Sequence, residues 1–407
     1  MKLAATRRRS ALVETFSPAN LIAAWQVERQ RLKSSCYGID RVSGKQFEAE
    51  RAWRIPSIRE RRLIPQFRPC PLLALAKAKP SGGHRIICVP TIEDRIIQFS
   101  ILNLLKPDLK KKGLLNDISY GLVSNEQRTV QDARNRAAKL RQSGKWVYQT
   151  DIQKFFDRIP RDRLASQIRR IVPHKSLHDI LIAFSQVEIG DGFSNDWEVI
   201  SRKAGIVVGQ GVRQGMPLSP YFAGMLLRDF DCFLESKQLP VIRYVDDVIG
   251  FFQTQQECTR FHTLLRSELN KLGLDIGDID QPQSKTKISP PDKPATFVGM
   301  EMTFRHDGKC LLRVGEKTLR DIEARFAEMA DLDKLLQKRI TLPVLGARLH
   351  AMVRGYRAAY NGASNLDELT FRVRAVAKPI VENVLEEIFG AAMKKLSKKE
   401  LAFLGVT

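Results

Sequence analysis

Apolar and polar positions follow two different periods along this chain, and the switches between them mark out its elements. Residues 18–35 carry Leu21, Ile22, Ala24 and Trp25 at helical spacing, which predicts a helix with one apolar face. Gly38 to Val42 reads as a turn. Over 72–90 the period drops to two, interrupted by Pro80-Ser81-Gly82-Gly83, and this predicts a hairpin with a flexible tip. Asp94 to Leu105 returns to helical spacing and predicts an amphipathic helix. Trp146 to Ile152 predicts a strand, and Pro160 a helix start, because the first turn of a helix has no use for the missing N–H. Residues 186–212 mix Gly with β-branched residues, as an antiparallel excursion would. Helices are expected over Pro217 to Phe233 and over 255–272. Between them, Val241 to Phe252 is apolar on both sides of an acidic centre, the pattern of two strands joined by a tight turn. Gln281 to Pro294, rich in Pro and Lys, reads as a loop. From Gly315 onward helical periodicity dominates, with a break at Thr341-Leu342-Pro343 and about one short helical unit after residue 360. The sum is an α+β body over about 40–312 and an all-helical piece over 313–407.

Composition adds a partner class. The chain has 407 residues, 43% hydrophobic and 28% charged, enough for two or three globular subdomains. No stretch approaches the roughly 18 uninterrupted apolar residues of a membrane helix. The net charge is +22, from 67 Lys+Arg against 45 Asp+Glu. Residues 1–68 alone hold 15 basic against 6 acidic residues, so 1–70 reads as a basic N-terminal extension. Solubility does not require such an imbalance, whereas a nucleic acid exploits it, because each neutralised phosphate releases counterions. Arg7-Arg8-Arg9 is followed by no apolar signal core, which argues against secretion. The six cysteines, at 36, 70, 88, 232, 258 and 310, form no CxxC pair and have no His at ligand spacing. Neither a zinc site nor a disulfide framework is expected, and a reducing cytoplasm fits.

Two acidic places stand out. In Gln149-Thr150-Asp151-Ile152-Gln153-Lys154-Phe155-Phe156-Asp157 a strand delivers Asp151 at its end, with two aromatics behind it. In Tyr244-Val245-Asp246-Asp247-Val248 adjacent carboxylates sit inside an apolar hairpin. A type I′ turn would tolerate Asp at positive φ without further purpose. Buried carboxylates are costly, however, and divalent cations with hard oxygen ligands remove that cost. Two metals about 3.5–4 Å apart can activate a hydroxyl and stabilise the leaving oxygen in phosphoryl transfer.

These residues carry a family resemblance. Tyr244-Val245-Asp246-Asp247 resembles the Tyr-x-Asp-Asp signature of reverse transcriptases, and Asp151 with Phe155-Phe156 resembles their first catalytic motif. Gln214-Gly215-Met216-Pro217-Leu218-Ser219-Pro220 resembles the turn that lies beside the incoming nucleotide. Lys79-Pro80-Ser81-Gly82-Gly83-His84-Arg85, Val89-Pro90-Thr91 and Asp94-Arg95 resemble the fingers of bacterial enzymes of the group II intron lineage. Lys285-Thr286-Lys287 and Phe297-Val298-Gly299 are similar to the later palm motifs. The resemblance implies a right-hand polymerase: fingers and palm over 71–312 and a helical thumb over 313–407.

It also implies roles. Asp151 and Asp246 hold two Mg²⁺ ions, with the Ile152 carbonyl as a further ligand and Asp247 supporting the second metal. Lys79 and Arg85 clasp the triphosphate of the incoming dNTP; read alone, they are a solvated basic hairpin. Phe156 packs under the sugar and excludes a 2′-hydroxyl, while Phe155 serves the core. Gln214 and Gly215 shape the nucleotide pocket, Gly by allowing close backbone approach. Lys285 or Lys287 protonates or neutralises the pyrophosphate, and the spacing does not separate the two. Tyr244 lies at the primer and template, as do Arg354 and Tyr356 on the thumb, where Arg354-Gly355-Tyr356 and Tyr360 resemble the intron-type pattern. A helix packing seam at Gly355 is the competing reading.

The departures narrow the branch. Leu122-Val123 follows Ser119-Tyr120-Gly121 where intron enzymes carry Phe-Arg, no Val-Thr-Gly triplet follows the palm, and Gln214 stands where the diversity-generating branch lacks it. No Cys/His endonuclease cluster or RNase H acidic set is visible. The expectation is a stand-alone bacterial reverse transcriptase copying a non-coding RNA into DNA, in antiphage defence. The alternative is a maturase-like RNA-binding scaffold in which polymerisation is secondary.

Overall fold

The computed structural model describes residues 10–31, 37–61, 67–78, 84–121, 128–141, 144–190, 205–282, 284–395, 397 and 399. Lys79, the Pro80–Gly83 tip, Arg7–Arg9, Leu122-Val123 and residues 191–204 of the expected excursion lie outside them. The chain is α+β, as its periodicity predicts. Ten strands are present among the described residues: β1 (Leu73–Ala78), β2 (His84–Val89), β3 (Ser119–Tyr120), β4 (Trp146–Asp151), β5 (Val241–Tyr244), β6 (Asp247–Phe252), β7 (Lys287–Ser289), β8 (Ala295–Phe297), β9 (Met300–Phe304) and β10 (Cys310–Arg313). They form three sheets, ordered β1-β2, β3-β5-β6-β4-β7 and β10-β9-β8. No described helix is long and apolar enough to cross a membrane.

The chain divides into two compact units, each discontinuous in sequence. The first comprises Met1–Thr129, Gln149–Gly250 and Gln256–Lys287, the second Val130–Tyr148, Phe251–Gln255 and Ile288–Thr407. In the first, the helix Ile92–Leu105 is central. Thr91 caps it by accepting a hydrogen bond from the Asp94 N–H. Its pattern predicts one wet face, but Asp94, Arg95, Gln98 and Ser100 are all buried. The N-terminal segment covers that face: the helix Pro18–Arg31 packs along it. Glu28 pairs with Arg95 at 2.7 Å. Arg61 pairs with Asp94 at 2.8 Å, and the Cys70 N–H donates to the other Asp94 oxygen at 2.7 Å. Polar residues here are buried because partners bonded to them arrive from elsewhere in the chain: charged ones for Asp94 and Arg95, the Leu218 N–H for Gln98 and the Thr15 carbonyl for Ser100.

β1 and β2 make the predicted antiparallel hairpin, with Lys77 opposite Arg85. β5 and β6 make the second predicted hairpin, with Tyr244 opposite Asp247, and β3 runs parallel to β5. The helix before them spans Ser219–Ser236, two residues later than its pattern suggests, with Pro220 in its first turn.

In the second unit β8, β9 and β10 form an antiparallel meander. Its first turn, Val298-Gly299, has positive φ at both residues, the type I′ pattern. The break expected at Thr341–Pro343 is a helix start: Leu342–Ala359 begins there with proline in its first turn. After residue 360 comes a 24-residue helix, Leu366–Phe389, in place of the short unit expected. Glu316–Ala327 and Leu342–Ala359 both pack on it. Arg372 ties it down through two carboxylates, Glu323 at 2.6 Å and Glu316 at 2.8 Å. The loop expected over 281–294 contains one short strand, β7.

The Asp94 bonds give a stability test. Asp94→Ala leaves Arg61 and the Cys70 N–H without their shared acceptor. It should cost about 3–5 kcal/mol in urea unfolding, the range for breaking a buried pair. A loss below about 1 kcal/mol would show that the N-terminal segment is not held by this contact.

Candidate active site

The end of β4 is joined by backbone bonds to the β5–β6 turn and to the segment after the helix Gln255–Asn270. The Ile152 N–H donates to the Asp246 carbonyl at 3.0 Å, and the Gln153 N–H to the Asp275 carbonyl at 2.9 Å. This brings Asp151, the last residue of β4, beside the turn that carries Asp246, with Asp247 opening β6. The turn is Val245-Asp246, and Val245 has φ 57. That is the first central position, so the turn follows the II′ pattern and not the I′ turn in which Asp would serve only for its tolerance of positive φ. A β-branched residue takes up the unfavourable conformation, and Asp246 does not.

Electrostatics ties the cluster together. Burial raises the Asp246 carboxyl above the ordinary range, and the charge of Asp151 pushes the same way. Burial, then the charges of Asp246 and Asp151, push Asp247 up to about 6. The Lys285 ammonium bonds to the Asp151 carboxylate. Burial alone would lower the Lys285 pKa, but the bond to Asp151 and the nearby Asp247 and Asp246 outweigh it and raise it. Arg85, on β2, also lowers the Asp246 pKa through its charge. Lys285, though exposed, is the lysine whose ammonium reaches the carboxylates; Lys287 lies two residues further on, at the start of β7. Among the described residues no three His, Cys, Asp or Glu side chains already form a metal cage. The donor set nonetheless fits a hard divalent cation: the carboxylates repel one another, and an ammonium takes up part of the charge.

Phe156, Gln214 and Gly215 line a cavity of about 570 Å³. Phe155 is buried beside Phe156, their ring centroids 5.3 Å apart, as a core residue should be. The need for Gly215 is geometric. Its φ is 112, and a Cβ there would stand 2.5 Å from the Cys88 carbonyl oxygen. The Cys88 N–H donates to the Gln214 carbonyl at 2.7 Å, so β2 and this turn touch through their backbones. Glu28 and Arg31, from the N-terminal helix, line the same cavity. The sequence pattern gives that helix no part in the site; its one signal is charge on a face that otherwise reads as solvated.

Arg354 and Tyr356 belong to the second unit. Arg354 is exposed on Leu342–Ala359, and nothing stands within 4 Å of a Cβ built on Gly355, so Gly355 does not mark a packing seam. Tyr356 is half-buried against the Phe326 ring, centroids 6.0 Å apart, and accepts a bond from Arg325 at 3.2 Å. In the first unit, Tyr244 packs over Gly121, where a Cβ would come 2.8 Å from its ring. Lys79 lies outside the described residues.

Residues 77–302, more than half of the chain, match the family model described as reverse transcriptase (RNA-dependent DNA polymerase). Protein YkfC of Escherichia coli is 25% identical over 228 residues, covering 53% of this chain and 55% of its own length. A Saccharomyces cerevisiae protein assigned to COX1/OXI3 intron 1 is 20% identical over 296 residues, 59% of this chain and 33% of that protein. The chain thus spans about half the length, or less, of these curated relatives. A telomerase structure from Candida albicans superposes over 88% of this chain and 70% of its own, at 13% identity and a TM-score of 0.39.

The raised carboxyl at Asp247 predicts a pH effect. Its pKa in the folded protein, about 6, exceeds the ordinary 3.8. The folded state therefore favours the proton, and the stability this gives is full below 3.8 and lost as pH rises through about 6. In the presence of a chelator, Asp247→Asn should flatten this dependence and raise Tm at pH 8 by roughly 2–4 °C. A melting profile from about pH 5 to pH 8 that Asp247→Asn leaves unchanged would refute the raised carboxyl.

Proposed function

The chain belongs to the reverse transcriptase family, and from that premise we propose that it is an RNA-directed DNA polymerase using two Mg²⁺ ions. The observation that carries this reading is the convergence of Asp151, Asp246 and Asp247 under one lysine. Asp151, Asp246 and the Ile152 carbonyl would hold the metals, with Asp247 in support. When bound, two such ions make the primer hydroxyl a better nucleophile and stabilise the departing pyrophosphate. Arg85, on β2, binds the triphosphate, and Lys79 of the same sequence motif is the second cation. Lys285, kept protonated by its carboxylate neighbours, is the group that can neutralise or protonate pyrophosphate. Phe156 on the cavity wall blocks a 2′-hydroxyl, which selects dNTPs. Arg354 on an exposed helix face suits the sugar-phosphate backbone of a template–primer duplex. The net charge of +22 supports a nucleic-acid partner.

The same proposal extends to the cell. The template is a dedicated non-coding RNA, the setting a reducing cytoplasm, and the role antiphage defence. The departures at Leu122-Val123 and the missing Val-Thr-Gly triplet support this branch. Sequencing the nucleic acid that co-purifies with the protein tests it: one enriched RNA species with complementary DNA is expected, and a random RNA population refutes it.

Purified protein should incorporate dNTPs on a primed RNA template with Mg²⁺. Asp246→Ala/Asp247→Ala should lower this at least about 100-fold. If an RNA-dependent cellular function survives that double substitution, the scaffold reading is correct instead. Lys285→Ala should reduce the rate about 10-fold or more while Lys287→Ala stays near wild type, following the usual size of an acid–base or charge contribution. Equal effects would remove the assignment to Lys285. Phe156→Ala should raise incorporation of rNTPs relative to dNTPs about 10-fold or more. An unchanged ratio would mean that Phe156 is not the sugar filter.

A further inference from the structure

Arg243, on β5 next to Tyr244, is fully buried, and so is Asp231 on the helix Ser219–Ser236. An apolar pair of the same volume often stabilises a core as well as a buried ion pair does, so stability alone is a weak reason for these charges. The guanidinium donors go to specific places. Nε donates to Asp231 Oδ1 at 2.7 Å, and Nη2 to Asp231 Oδ2. Nη2 also reaches Ser119 Oγ at 2.6 Å. Nη1 donates to the Val245 carbonyl at 2.7 Å.

That last bond falls on the peptide leading into Asp246. Val245 is the residue with φ 57, a conformation a β-branched side chain rarely adopts and which must be held from outside. The peptide on the far side of Asp246 is also fixed, since its carbonyl accepts from the Ile152 N–H at 3.0 Å. Both peptide planes flanking Asp246 are therefore pinned, one by Arg243 and one by β4. The Val245 N–H is taken up by the Tyr120 carbonyl at 3.2 Å. Gly121 closes over the turn so tightly that a Cβ there would stand 2.9 Å from the Val245 side chain.

We propose that the buried Arg243–Asp231 pair is a positioning device: through the Val245 carbonyl it holds the strained turn and so sets the direction of the Asp246 carboxylate, without touching substrate. The inference rests on the polymerase reading of Asp246. It makes Arg243, Asp231 and Ser119 part of the machinery by way of the backbone, a role their burial away from substrate would otherwise hide.

The test uses Arg243→Lys, which keeps a charge opposite Asp231 but lacks the fork that reaches three partners. In full-length protein shown to be folded by its melting curve, dNTP incorporation should fall about 10–100-fold in kcat, as a small misplacement of a reacting group does, with KM for dNTP within about twofold. Mn²⁺ binding, read by electron paramagnetic resonance without substrate, should weaken severalfold. Adding Val245→Gly, which relaxes the positive φ, should recover most of kcat and of Mn²⁺ binding; a purely structural role gives no such rescue. Ser119→Ala removes one bond only and should shift kcat and Mn²⁺ binding the same way, by less. A folded Arg243→Lys protein with wild-type kcat and Mn²⁺ binding overturns the proposal, as does a loss that Val245→Gly leaves unchanged. If Arg243→Lys does not fold, Ser119→Ala decides, and wild-type values there overturn it. Wild-type protein that incorporates no dNTP refutes the polymerase reading instead, and Mn²⁺ binding still decides the positioning.

Discussion

The burial of Asp246 and Asp247 beside a third carboxylate, Asp151, is the constraint around which the first unit is arranged. Burial first, and then the neighbouring carboxylate charges, raise Asp246 and Asp247, and such groups separate or take up protons unless the backbone holds them. Here the backbone does so directly: β4 and the β5–β6 turn share a hydrogen bond at the residues in question. Lys285 supplies the local positive charge. The strained φ at Val245 and the buried pair of Arg243 and Asp231 belong to the same arrangement, because a turn that left this conformation would let the carboxylates move apart.

A second arrangement surrounds the cavity lined by Phe156, Gln214 and Gly215. The backbones of β2 and the Gln214-Gly215 turn touch, which forces glycine at 215 and links the hairpin bearing Arg85 to the turn lining the cavity. The N-terminal helix Pro18–Arg31 closes another wall and buries the charged face of Ile92–Leu105. A basic N-terminal segment is thus also a structural one: Arg61 is engaged by Asp94, and Arg54 by Glu50 and Glu93. Only part of its positive charge remains for a polyanion.

The sequence by itself determined the elements and the chemistry that are local. Period-two and helical patterns located both hairpins and the helices Pro18–Arg31, Ile92–Leu105, Ser219–Ser236 and Gln255–Asn270, because side-chain direction repeats with backbone geometry. The pairing of a strand-end Asp151 with a hairpin Asp246 was legible because a carboxylate among apolar residues is costly unless a cation offsets its charge. The long C-terminal helix and the short β7 were misjudged where local composition and tertiary packing disagree: Arg372 and its two glutamates hold a helix whose pattern looked short.

Tertiary structure alone decided everything that depends on residues far apart in the chain. Spacing could not choose between Lys285 and Lys287, since both sit in one basic triplet; the fold puts the Lys285 ammonium on Asp151. A face of Ile92–Leu105 that looked wet is buried, because Glu28 and Arg61 arrive from other segments. No pattern along the chain marks Arg243 and Asp231 as partners, 12 residues apart on a strand and a helix. Hydrophobic periodicity reports which way a side chain points, and only the folded chain reports what it meets there.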